Sequence, residues 1–171
     1  MFSLHKKRPP AGAIYATQDG KVLPIEEMPD EVFAGRALGN GICIVPSNDK
    51  VYAPVEGVIE SIADSHHAFG ITASDGADIV IHIGVDTVEL SGRGFKPKVR
   101  LDQRVKAGDL LCQVDLALLR KAGYAIHTAV LLANLDAFKI VEFCYGDAAG
   151  GKTVAFRYQK LNTTETSGEK G

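Results

Sequence analysis

The chain has 171 residues, 46% of them hydrophobic and 23% charged, with a formal net charge of −2. That length suits one domain or two small ones and buries a sizeable core without disulfides. The near-neutral balance lacks the clustered basic excess of a nucleic-acid binder, and no apolar run reaches the roughly 18–20 residues of a membrane span. Residues 1–10 are basic with no apolar stretch after them, so no secretory signal is expected. Cys43, Cys112 and Cys144 are odd in number, widely spaced and form no C-x-x-C pair. They read as reduced thiols in a cytoplasmic fold.

Composition divides the chain into a flexible basic lead-in over 1–11, one domain over 12–160, and a polar tail over 161–171 expected to be disordered. The first strand signal, at 14–16, is followed by the Asp19-Gly20 turn signal. Residues 30–35 suggest about one helical turn capped by Asp30. After the Asn40-Gly41 turn signal come β-branched runs at 42–45, 58–62 and 79–83, separated by Glu56-Gly57 and Asp75-Gly76. Gly92-Arg93-Gly94 marks a further turn. Residues 115–123 begin with Asp115 and end with Gly123, good caps for two helical turns, and a last strand runs over 153–158. Many short strands with frequent turns and two very short helices predict an all-β, antiparallel sandwich or barrel.

Of the five histidines, His5 falls in the lead-in, and His127 is expected at an edge or on the surface. His82 differs. Strand alternation over 79–83 puts Ile79, Ile81 and Ile83 on one face, with Val80, His82 and Gly84 on the other. Gly84 leaves room for a backbone carbonyl to accept the His82 Nδ1 proton, which leaves Nε2 unprotonated and nucleophilic. Apolar neighbours keep such a ring neutral near pH 7. His67 lies 15 residues earlier with the Asp75-Gly76 turn midway, so two antiparallel strands set the imidazoles facing each other. Two facing imidazoles suit Zn²⁺, or a nucleophile with a charge stabiliser. The pattern alone leaves both open.

His67-Ala68-Phe69-Gly70-Ile71, residues 81–90 and Gly92-Arg93-Gly94-Phe95 closely resemble the glucose-type enzyme IIA family of the bacterial phosphoenolpyruvate-dependent sugar phosphotransferase system. Residues 29–34, 39–42, 53–57 and 105–109 fit the same family in the same order, over roughly residues 14–160. The resemblance implies an antiparallel β-sandwich, or flattened barrel. It also implies a phosphoryl relay from the phosphocarrier HPr to the IIB domain of a sugar permease. His82 matches the phosphorylated histidine, His67 the supporting one, and Ser65 stands where members often carry a threonine hydroxyl. Val32, Phe33, Phe69, Val80 and Val88 are expected to form an exposed apolar rim for docking, with Asp30 and Asp86 steering a basic partner. Thr72 stands where enteric members carry an acidic residue, and Glu31 where they carry an apolar one.

Other readings fare worse. A zinc hydrolase of related fold needs a third ligand, often from an H-x-H pair, and position 84 is Gly. No cofactor is required for the relay, although His67 and His82 offer Zn²⁺ two ligands. A lipoyl or biotin carrier needs a lysine in a hairpin-tip motif that is missing. A purely regulatory role remains compatible with transfer. With only Phe2 and Leu4 as large hydrophobes before Pro9-Pro10, residues 1–10 are not expected to hold a membrane stably.

Overall fold

A computed structural model describes residues 12–162. The expected lead-in and residues 163–171 of the expected tail, with His5, lie outside these. Strands β1 (Gly12–Tyr15) and β2 (Gly20–Pro24) lead to a 3-10 turn (Ile25–Glu27) and helix α1 (Glu31–Ala34). β3 (Asn40–Pro46), β4 (Lys50–Tyr52) and β5 (Gly57–Ile62) follow. β6 (Ala68–Ala73) and β7 (Asp78–Ile83) form a hairpin, and a second 3-10 turn (Thr87–Leu90) comes next. Then come β8 (Phe95–Pro97), β9 (Arg104–Val105), β10 (Leu110–Val114) and helix α2 (Leu116–Lys121). β11 (Thr128–Leu132), β12 (Phe138–Phe143), β13 (Gly146–Ala148) and β14 (Val154–Lys160) complete the fold.

One eight-stranded sheet has the order β13-β2-β3-β11-β7-β6-β5-β9, and two three-stranded sheets run β1-β14-β12 and β4-β10-β8. All the pairings are antiparallel, and the main hydrophobic core joins residues from all three sheets. The all-β sandwich expected from the sequence is the observed class. Both helices are capped as expected, since the Asp30 carboxylate accepts from Val32 N and that of Asp115 from Leu118 N. The two 3-10 turns were not legible in advance.

Asn40-Gly41 is not a turn; it opens β3. A Cβ at Gly41 would collide with the Val130 carbonyl, so this glycine serves close approach between strands. The Asp75-Gly76 turn does form, with the Asp75 carboxylate accepting from Ala77 N at 3.1 Å. Asn134 steadies it by accepting from Asp78 N and donating to Gly76 O. This turn sets the β6–β7 register in which Ala68 faces His82 and Phe69 faces Ile81. Cys43, Cys112 and Cys144 are free, and burial pushes the first two thiols up to about 11 and about 12, keeping them protonated.

Candidate functional site

Across the outer face of the large sheet, one row of paired residues reads Leu23, Cys43, Ala129, His82, Ala68. Its members beside His82 are small, which leaves room over the imidazole. The 3-10 turn at Ile25–Glu27 and α1 fold across this face. Ile25, Met28 and Phe33 pack there on Cys43, Ala129 and Leu131, making a second hydrophobic cluster that Val80 and Val85 flank. The Phe33 ring lies 4.7 Å from that of His82, tilted by 48°.

His67 reaches the site from the bend before β6. His66 adopts a left-handed φ of 61°, and the His67 carbonyl then accepts from Ile83 N at 2.8 Å. The His67 and His82 rings meet edge to face, 5.0 Å between centroids. On its other side His67 meets Phe95 edge-on at 6.5 Å. Phe95 was not singled out from the sequence, although an aromatic placed just after two turn glycines is a signal of that kind.

His82 Nδ1 lies 3.0 Å from the Gly84 carbonyl oxygen. A carbonyl only accepts, so Nδ1 carries the proton and Nε2 has the free lone pair. This is the arrangement expected from the sequence. Gly84 achieves it with a left-handed φ of +77°, and a Cβ there would collide with the Thr87 methyl. Among the described residues, no group hydrogen-bonds the enclosed His67 Nδ1.

Burial and then the neighbouring His67 hold the His82 pKa below the ordinary 6.5, against smaller upward pulls from Gly84, Asp30 and Asp86. Burial lowers His67 as well. Both rings are therefore neutral near pH 7. Among the described residues no third His, Cys, Asp or Glu joins them into a metal-holding group. Two imidazoles supply half of a tetrahedral zinc site.

The expected docking rim needs correction at two positions. Phe69 is 1% exposed and belongs to the main core, because its register partner is the inward-facing Ile81. Phe33 is 5% exposed and serves as packing over His82 rather than as open surface. Val32 and Val88 are exposed, and Val80 is half-buried beside the second cluster. Asp30 and the exposed Asp86 both act electrostatically on His82, Asp30 while capping α1, and Asp86 while opening the Thr87–Leu90 turn with a φ of 58°. Ser65 sits half-exposed in the turn before His67. His127 lies just before the central strand β11, half-buried rather than at an edge, and its carbonyl accepts from Gly84 N at 2.8 Å.

Known proteins carry the same framework. The phosphoenolpyruvate-dependent sugar phosphotransferase system EIIA 1 family matches residues 12–138. The glucose-specific EIIA component of Buchnera aphidicola subsp. Acyrthosiphon pisum is 40% identical over 141 residues, 82% of this chain and 88% of that protein. That of Haemophilus influenzae is 35% identical over 147 residues, covering 86% and 89%. The solved glucose permease IIA from Mycoplasma capricolum superimposes with a TM-score of 0.82 at 35% identity, over 91% of this chain and 99% of that one. A paired-histidine site on this sandwich, with relatives so similar over most of their length, makes the chain a member of the phosphoenolpyruvate-dependent sugar phosphotransferase system EIIA 1 family.

Proposed function

We propose that this chain is a cytoplasmic phosphocarrier that takes a phosphoryl group from phosphorylated HPr onto His82 Nε2 and passes it to the IIB domain of a glucose-type sugar permease. One observation carries the reading: the Gly84 carbonyl holds the Nδ1 proton, so the free lone pair is on Nε2, beside the edge-on His67. Two curated relatives bear the name glucose-specific EIIA component, which supports the sugar class.

Phosphoryl transfer passes through a loose, in-line state with charge on three equatorial oxygens, so positioning and donors do most of the catalysis. The Nε2 lone pair attacks phosphorus, and an N–P bond forms as the donor's bond to phosphorus breaks and the donor keeps that electron pair. The proton stays on Nδ1, donated to Gly84 O throughout, so His82 neither gains nor loses a proton. An N–H of His67 stabilises the oxygens, and the Ser65 hydroxyl is a further donor candidate. Phe33 and the apolar cluster under α1 limit access of water to the phosphoramidate. Val32, Val80 and Val88 offer the carrier an apolar contact, and Asp30 and Asp86 orient its basic groups. On the return step the same geometry runs in reverse toward IIB.

Reconstitution with phosphoenolpyruvate, enzyme I and HPr, followed by intact mass, tests this. Native protein gains one acid-labile phosphate and His82→Ala gains none. Normal labelling of His82→Ala would overturn the assignment.

A further inference from the structure

We propose that Thr87 is a positioning residue that sets the tautomer of His82 by locking the two peptide groups on either side of Gly84. The proposal rests on His82 being the phosphoryl acceptor. Thr87 is fully buried, and no carrier can touch it. Its hydroxyl donates to the Ile83 carbonyl, four residues back. Ile83 is the residue between His82 and Gly84, and its own N–H already holds the His67 carbonyl at 2.8 Å.

The polar groups around Gly84 are all accounted for. In the Ile83–Gly84 peptide the carbonyl accepts from Thr87 and the N–H donates to His127 O at 2.8 Å. In the Gly84–Val85 peptide the N–H donates to Ala125 O at 3.1 Å, and the carbonyl takes His82 Nδ1. Apart from His82 itself, Thr87 supplies the only side chain among these four partners. Its methyl group also fills the space that a Cβ on Gly84 would occupy. The left-handed turn at Gly84 is thus held from both sides, by backbone on one and by Thr87 on the other.

The consequence is chemical. If the Ile83–Gly84 peptide rotates, the next carbonyl swings off Nδ1, and the proton is free to move to Nε2. A protonated Nε2 has no lone pair for phosphorus. A β-branched residue with a hydroxyl does both jobs: Val keeps the shape without the donor, and Ser keeps the donor without the methyl.

The tautomer measurement uses the free, full-length protein and does not depend on the relay. In 15N-resolved NMR of the histidine rings, native His82 shows the Nδ1–H tautomer. Thr87→Val is expected to show both tautomers and, in the reconstituted relay, to accept phosphoryl about tenfold more slowly, the equivalent of one net hydrogen bond. Its His82 pKa falls further, because the upward pull of the Gly84 carbonyl weakens while His67, Asp30 and Asp86 still face the ring. Thr87→Ser is expected to keep the native tautomer and a rate within about threefold of native, even where its melting temperature drops. Rates are taken per folded molecule. Thr87→Val with a pure Nδ1–H tautomer overturns the proposal, and Thr87→Ser with mixed tautomers overturns the hydroxyl as its main element. If Thr87→Val does not fold, Thr87→Ala, which also lacks the hydroxyl, takes its place with the same two outcomes. Native protein that takes no phosphate on His82 overturns the functional reading instead, and the tautomer comparison still decides the role of Thr87.

Discussion

Removing the Phe33 ring perturbs the packing over the site and the imidazole together. Phe33 is 5% exposed, and deleting a buried Phe ring costs about 3–5 kcal/mol. Its ring projects from a single helical turn, where neighbours collapse into the space, so Phe33→Ala is expected near the low end, about 3 kcal/mol. At about 2–4 °C per kcal/mol for a domain of this size, the melting temperature falls by about 6–12 °C. The same ring, 4.7 Å from His82, keeps water off the imidazole. With it gone, the His82 pKa rises toward the ordinary 6.5, since burial is the main cause of its depression. Circular dichroism gives the melting temperature, and an NMR titration of the imidazole gives the pKa. A variant that melts within about 2 °C of native, with an unchanged His82 titration, refutes the view that Phe33 is buried packing over the site.

His67→Gln keeps a hydrogen-bond donor but loses the ring; it is expected to be labelled by HPr yet to pass phosphate poorly to IIB, and sugar phosphorylation at the native rate would remove His67 as charge stabiliser. Burial holds His67 and His82 below 6.5, so on acidification through that value unfolded chains bind protons that folded chains do not. Stability therefore falls as pH drops from about 7 through 6.5 toward the lowered values, and denaturant melts of His67→Gln should show a shallower fall; equal slopes would exclude His67 as a contributor. Asp30→Asn keeps a good helix cap while removing a charge. With Asp86→Asn it should slow labelling by HPr at low ionic strength, and the difference should fade above about 0.1 M salt; a difference independent of salt would rule out steering.

Much of the site was legible because it follows local rules. Side-chain alternation is a property of any strand, so residues 79–83 alone send His82 away from Ile79, Ile81 and Ile83. Capping is equally local, and Asp30 and Asp115 cap as their positions imply. The Asp75-Gly76 turn sets a hairpin register that brings His67 near His82. The same register turns Phe69 inward against Ile81, so its burial follows from parity that a list of apolar residues ignores.

Other features were decided only by the folded chain. β11 pairs with β3 on one side and β7 on the other, yet residues 128–132 are buried throughout and carry no alternation to say which neighbours they want. That placement puts Ala129 beside His82, seats Phe33 over Cys43 and Ala129, and brings the His127 carbonyl onto Gly84 N. Thr87 is another case, because a buried threonine becomes informative only once its hydroxyl is seen on Ile83 O. Alternation, capping and turn chemistry involve residues a few positions apart, so the sequence determines them by itself. The choice among many similar β-branched strands is made by the burial and hydrogen bonding of the whole sheet, which exist only in the tertiary structure.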